Sequence, residues 1–320
     1  MEIWNHSRPI SSVLDDPQVA DDVKQKLRLA LDIRRFAVDR LHLPDNDSYT
    51  EFVDLRRPYA VWSVFAAPEL SLLPQEWCFL VVGCVTYRGY FDKQDALDFA
   101  QKNADEGYDV YVGGVPAYST LGWFDDPIPN TILNYRDEEF AGLIFHELAH
   151  QVAFAKGDTV FNESFATTVE RIGVGRWLGA TGNPSEIENY RLRNQRNQRV
   201  VELILDYRAR LDEVYTSDLT DGNKRDRKRR LIQALKIAYD QTTENWPGYA
   251  GYRYWFDQPI NNAQLLSIAT YSDLVPAFEK LLGEHHGDLP RFYTAARELA
   301  DMDKPQRRAA LEIGVGVNFR

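Results

Sequence analysis

The stretch HELAHQVAFAKGDTVFNESFATTVE, residues 146–170, decides how the rest of the chain is read. Its first five letters set His146 and His150 four residues apart in a segment with helical patterning. On a helix that spacing leaves two side chains about 40° apart in azimuth and ~6 Å apart along the axis. Two imidazoles so placed can reach one tetrahedral metal ion. Glu147 projects beside such an ion rather than at it, where it can take a proton from the water that the metal polarises.

HExxH alone is a weak signal, and its surroundings strengthen it. AGLIFHELAHQVAFA (141–155) is strongly apolar, so the helix expected from about Asp137 to Ala155 is a core helix. Two imidazoles and a carboxylate are costly to bury there without a partner, and a metal removes that cost. A catalytic site needs a third protein ligand. Ala153 and Lys156 stand where HExxHxxGxxH would place its glycine and last histidine, so the ligand comes from elsewhere. NESFATTVE offers Glu163, in a second helix expected from about Asn162 to Leu178. The intervening residues let the chain reverse and lay the two helices side by side. Glu170 lies two turns further along the same face and can hydrogen-bond a ligand histidine. The plain alternative makes Glu163 a helix-start carboxylate and Glu170 a solvated one. The neighbouring HELAH favours the ligand reading, and two imidazoles with a carboxylate suit a single zinc ion (Zn2+).

Outward from this pair the texture differs on the two sides. AVWSVFAA, WCFLVVGCVTY, RGYF and DVYVGGVPAYSTLGWF are β-branched and aromatic and read as strands, with a helix over residues 93–107 between them. An earlier helix is expected within residues 18–43. Beyond GATGNP (179–184) the chain reads as almost wholly helical, at Ile187–Tyr215, Leu231–Tyr239, Phe278–Leu282 and Arg291–Leu299. The expectation is an α+β fold. Residues 1–180 form a sheet-containing half with the metal helices, and 181–320 a helical portion closing a cleft, unless both make one continuous catalytic domain.

The chain has 320 residues, 44% hydrophobic and 27% charged, as an ordinary globular protein has. No apolar run approaches the ~18 residues needed to span a membrane. Forty-eight acidic residues against 37 basic give −11, which argues against a nucleic-acid partner. The basic run DGNKRDRKRR (221–230) reads as a solvated loop between helices. The N-terminus has neither the charged nor the apolar region of a signal peptide, which taken literally means cytoplasmic. Cys78 and Cys84 are the only cysteines. In one extended strand their Cα atoms would stand about 20 Å apart, whereas a bridge needs less than ~7 Å and hence a tight turn. Two buried thiols in a strand is the favoured reading.

FNESFATTVE resembles the NEGFAxxxE segment of the aminopeptidase N family, whose glutamate is the third zinc ligand. With HELAH it looks like the gluzincin arrangement, on a spacer shorter than in thermolysin or aminopeptidase N. The fuller resemblance is to a bacterial family of putative aminopeptidases. RRFAVDRLHLPDNDSY, WCFLVVGCVTYRGYF, GVPAYSTLGWFDDPI, LIFHELAHQ, FNESFATTVE and NNAQLLSIATYSDLVPAFEKLL are similar to its blocks, so the likeness covers nearly the whole chain.

The resemblance implies a zincin-like fold, with a mixed sheet whose edge strand lies over the HExxH helix, and hydrolysis of a peptide or protein substrate. AYSTLGWF (117–124), with Tyr118, Ser119 and Thr120, is in the right place to pair with a substrate backbone. Asp125 or Asp126 would hold the substrate's α-amino group, although a simple turn at DDP explains them equally well. A tyrosine downstream of the third ligand would stabilise the oxyanion. Of Tyr252, Tyr254 and Tyr271, the last is the choice. Asn261 and Asn262 are read as contacts to the peptide backbone or as a helix cap. Members carry a lipoprotein or secretory signal, so the resemblance implies a periplasmic or membrane-anchored protein, with a lipid anchor in a longer precursor. The alternatives are a zinc endopeptidase and a non-catalytic, zinc-stabilised scaffold. The intact Glu147 argues against the scaffold.

Overall fold

Apolar residues at helical spacing run through most of the chain. The structure, a computed structural model, is accordingly an α+β fold in which helices predominate and the strands form three small sheets. It describes residues 6–79, 83–117, 120, 124–182 and 184–315. In chain order the first part holds β1 (Arg8–Pro9), α1 (Ile10–Asp15), α2 (Asp21–Leu41), β2 (Glu51–Val53), β3 (Val61–Pro68), β4 (Trp77–Phe79), β5 (Gly83–Val85), β6 (Arg88–Tyr90), α3 (Lys93–Asp105), β7 (Tyr108–Val115) and β8 (Ile128–Pro129). Then come α4 (Asp137–Ala149), α5 (Thr159–Thr181), α6 (Pro184–Thr216), α7 (Asp221–Thr243), α8 (Arg253–Asp257), α9 (Asn262–Ser272), α10 (Val275–Glu284), α11 (Leu289–Asp301) and α12 (Lys304–Val315).

The α4–α5 pair is the centre of the largest apolar core. α4 opens with three acidic residues in its first turn, favourable to its dipole. It then buries almost every side chain from Phe140 to Ala149. Phe145, Phe161 and Phe165 from the pair meet Phe278 and Phe292 from α10 and α11, and all five are sealed from solvent. Residues on both sides of position 180 therefore share this core. Close approach of the helices depends on Gly173. A Cβ there would stand 2.7 Å from Cδ2 of Phe145 and 2.9 Å from Cδ1 of Leu41 in α2.

Two buried polar devices fix the ends of the pair. Gln151, just past the second histidine, accepts from Asn46 at 2.6 Å and donates to Ser48 at 3.1 Å, in the loop after α2. Asp158 caps α5, accepting from the Phe161 amide, and pairs with Arg307 of α12 at 2.7 Å and Arg308 at 3.0 Å. Arg307 and Asp158 are both buried.

Three expectations need correction. α4 stops at Ala149, not Ala155, because the chain turns down into the Lys156–Gly157 corner, where Gly157 has φ 77°. His150 is its C-cap at φ −59°, ψ −22°, so the two imidazoles keep helical spacing. The run 221–230 is the first half of α7, capped by Thr220, rather than a loop. Its charges do not break the helix because several find partners, Arg225 on Glu69 and Lys228 on Asp109. The two ends of WCFLVVGC pair with each other rather than forming one strand. Gly83 sits at φ 80°, β4 and β5 run antiparallel with Cys78 opposite Cys84, and the two are joined by a disulfide. Cys78 is exposed, not buried.

The sheets lie to one side. β6–β3–β7 is antiparallel, with β3 and β7 paired from Val61↔Val115 to Pro68↔Tyr108. α3 and α9 pack against it, and α9 in turn packs on α5. A second sheet, β1–β2–β8, contains the parallel pair β2–β8. Among the described residues of 117–124 no strand is formed, and Tyr118 and Ser119 lie outside the described residues.

Candidate metal centre

His146 on α4 and His150 at its C-cap lie one turn apart, their rings edge-to-face with centroids 5.0 Å from each other. α5 runs alongside and presents Glu163 between them. Its Oε2 lies 3.3 Å from Nε2 of His146 and 3.7 Å from Nε2 of His150. One donor atom from each residue falls within 4.8 Å of the others, and all three residues are buried. Metal–ligand bonds near 2.1 Å in a tetrahedron put donor atoms about 3.4 Å apart. The residues therefore fit a single metal ion, and the donor set of two imidazoles and one carboxylate leaves a fourth position open.

The local sequence explains how Glu163 reaches this point. Asn162 clamps the corner, accepting from the Ala155 amide at 2.7 Å and donating to the Ala155 carbonyl at 3.0 Å. Ser164 accepts from the Leu274 amide at 3.2 Å, which ties the junction of α9 and α10 to the same turn. The three letters NES thus hold the turn, supply the carboxylate and anchor the next element. Glu170, two turns on, accepts from Nδ1 of His146 at 3.1 Å. Gly142 makes room for it, since a Cβ there would stand 3.2 Å from Cγ of Glu170. Nδ1 of His150 is buried with no protein partner among the described residues.

The charges are mutually supporting. Burial disfavours the charged form of His146, but hydrogen bonds to Glu163 and Glu170 outweigh it and hold the imidazole well above the ordinary histidine range. Burial likewise opposes ionisation of Glu163, yet the charge of His150 and hydrogen bonds from both histidines bring it down to about 2. Glu147 is buried beside them without a hydrogen bond of that kind. Its desolvation exceeds the pull of His146 and His150, so its carboxyl is raised. Burial thus makes the Glu147 carboxylate hold a proton more readily than an exposed one would.

Two tyrosines flank the site. Tyr271, from α9, sets its ring 6.3 Å from that of His146. Burial, then the charges of Glu163 and Glu147, push its hydroxyl well above the usual range. Tyr252 feels the charge of Glu170, and Tyr254 is 73% exposed. Tyr87, not singled out in the sequence, places its hydroxyl 3.5 Å from Oε1 of Glu163. It stands 76 positions from that residue, in a strand-rich stretch with no periodic tie to the helices, so no signal within the sequence marks it.

The remaining expected contacts divide sharply. Asp126 is almost sealed, 1% exposed, and Asp125 is exposed. Oδ2 of Asp126 accepts from the Thr120 amide at 2.7 Å and from its hydroxyl at 3.0 Å. Oδ1 is buried and has no hydrogen-bond partner among the described residues. Burial lifts the carboxyl to about 6 against the two Thr120 bonds, with Glu147 and Asp125 adding to the rise. Thr120 is thus occupied in closing this turn. Asn261 and Asn262 make their side-chain hydrogen bonds within the fold, and Asn261 takes the helix-cap alternative. Asn261 caps α9 and donates to the Val110 carbonyl at 2.8 Å. Asn262 is fully buried, donates to the carbonyls of Pro68, Glu69 and Ser71, and accepts from Tyr215. The two asparagines pin α9, and with it Tyr271, to the β3–β7 sheet.

Residues 1–311 match the model of a protein family described as "Putative aminopeptidase", and the chain belongs to that family. No curated protein and no solved structure matches it. The family's description suggests peptide hydrolysis. No helix among the described residues is long and apolar enough to cross a membrane.

Proposed function

With that membership as the premise, we propose that the protein is a zinc-dependent aminopeptidase. The ligands are His146, His150 and Glu163, and Glu147 is the general base. The observation that carries this is the buried Glu147, its carboxyl raised by desolvation, beside three convergent donor atoms at metal-ligand spacing. A zinc ion held by them would supply the Lewis acidity that polarises a scissile carbonyl and acidifies a water.

The chain's own residues do the rest. Glu147 takes the proton from the attacking water and returns it to the departing amine, a role suited to a carboxyl that burial makes more basic. Glu170 fixes the tautomer of His146 so that Nε2 faces the ligand position. Tyr271 stays a neutral phenol at working pH and donates to the oxygen that becomes negative. Asp126 gives the exo-specificity. Its Oδ1 is a buried acceptor without a donor among the described residues, close enough to Glu147 to feel its charge, and an α-ammonium group would satisfy both deficits at once. The Cys78–Cys84 bridge supports a periplasmic or membrane-anchored location, since disulfides persist in oxidising compartments.

The deciding experiment measures metal content and cleavage together, for wild type and Glu147→Gln, on aminoacyl-chromophore peptides and the same peptides with acetylated amino termini. One zinc in each protein, with cleavage only of free-amino peptides and only by wild type, is the expected result. Equal cleavage of acetylated peptides would remove the aminopeptidase assignment. A wild-type protein without bound metal would remove the zinc mechanism.

A further inference from the structure

The β4–β5 hairpin takes no part in the sheet that α9 packs on, yet it touches the candidate metal centre twice. The first contact is at the corner joining α4 to α5. Gly83 lies so close that a Cβ on it would stand 2.9 Å from the Gly157 amide nitrogen and 3.0 Å from Cγ of Lys156. From the other side, a Cβ on Gly157 would lie 3.7 Å from the Cys84 nitrogen. The second contact comes just past Cys84, where the Tyr87 hydroxyl faces Oε1 of Glu163. That is the oxygen turned away from the histidines, since both imidazoles address Oε2.

The backbone on either side makes this placement depend on the hairpin. After Tyr87 the chain enters β6 and is fixed by pairing with β3 from Arg88↔Val64 onward, and the Tyr87 ring rests on Phe65 at 5.4 Å. Before Tyr87 the chain is held by β5, three residues long, which pairs with the equally short β4 and rests on the Gly157 corner. A two-stranded hairpin of that size is marginal by itself. A covalent bridge across it removes most of the freedom it would otherwise have.

We propose that Tyr87 is a positioning residue that holds Oε1 of Glu163 and leaves Oε2 alone to the metal, and that the Cys78–Cys84 bridge holds the hairpin that sets it there. The proposal rests on reading His146, His150 and Glu163 as the metal ligands. A carboxylate with both oxygens free can swing between them, whereas a phenol donating to one fixes which oxygen ligates.

The test is zinc affinity, by competition with a chelating dye, and the visible spectrum of the cobalt-loaded protein, so that peptide cleavage plays no part. Tyr87→Phe keeps the ring on Phe65 and removes only the hydroxyl. It is expected to lower zinc affinity by about tenfold or more and to shift the cobalt bands, the range seen when a group behind a metal ligand is removed. The double variant Cys78→Ser/Cys84→Ser should show the same loss, and adding Tyr87→Phe to it should lower affinity no further. Should the double variant fail to fold, Gly83→Ala, which keeps the bridge but pushes the hairpin off Gly157, takes its place with the same expected loss. Unchanged affinity and spectrum in Tyr87→Phe would overturn this inference while leaving the zinc site standing. Additive losses in the triple variant would overturn the role of the bridge. Absence of zinc from wild type would overturn this inference and the proposed function together.

Discussion

The two sides of the site are built on different principles. The ligand side is one helix pair inside the main core, where Phe145, Phe161 and Phe165 are sealed and Gly173 allows contact at van der Waals distance. The opposite side is made of short pieces: a bridged hairpin followed two residues later by Tyr87, and Thr120 closing onto Asp126. The helix pair holds its groups by packing density, and density tolerates little change. The short pieces hold theirs by single polar ties. Interference with the ligand side should therefore appear mainly as lost stability, and on the other side as altered binding with the fold intact.

The sharpest attempt to break that contrast is Arg307→Ala. It leaves Asp158 without its inner partner at the cap of α5, although Arg308 remains on the other oxygen. Removing one member of a buried pair is expected to cost about 3–5 kcal/mol, read as a shift of the denaturation midpoint in metal-free protein. A shift below about 1 kcal/mol would mean that the ligand side is not held rigidly at its cap.

Asp126→Asn probes the other side and should do the opposite. The folded carboxyl is at about 6, against ~3.9 in an unfolded chain. A raised carboxyl destabilises the fold wherever the unfolded form is ionised. The cost is absent below about pH 4, grows between about 4 and 6, and is constant above, reaching at most about 3 kcal/mol. The asparagine variant should lose this pH dependence and be the more stable protein at pH 8. Its KM for free-amino peptides should rise at least about tenfold, because a neutral amide cannot pair with an ammonium group. A less stable variant with unaltered KM would show Asp126 to be a structural residue.

Glu170→Gln lies between the two regions, on the core helix but partly open to solvent. Zinc affinity is expected to fall ten- to a hundredfold with little change in fold stability. Dye competition beside a thermal melt would separate the two effects.

The smallest effects distinguish glycines within one helix. Gly173→Ala overpacks Phe145 and Leu41, a penalty of about 1–3 kcal/mol that better helix propensity offsets by ~1. Gly175 and Gly179 have nothing within 4 Å of a built Cβ. Their alanine variants should gain about 0.5–1 kcal/mol. Stabilisation by all three would show that the pair has slack at its closest point.

The amino-acid order alone determined the ligand side, because a helix converts spacing into direction. His146, Glu147, His150, Glu163 and Glu170 could be set on two facing helices by counting, and the apolar run around HELAH marked the burial that makes ionisable groups there significant. Counting also extended α4 too far, since Gly157 at positive φ and the ties from Gln151 turn the chain before Ala155. It took the basic run of α7 for a loop, since Glu69 and Asp109, far earlier in the chain, neutralise it.

What only the tertiary structure decided lies where no period carries information. Cys78 and Cys84 meet because β4 and β5 pair antiparallel, with Phe79 opposite Gly83. Tyr87 reaches Glu163 because that hairpin docks on the corner between α4 and α5. Asn261 and Asn262 serve the fold because α9 lies across β3 and β7. A helix repeats its geometry every turn, so local sequence suffices to aim a side chain along it. Contacts between distant short segments depend on which segments pack together, and only the assembled core settles that.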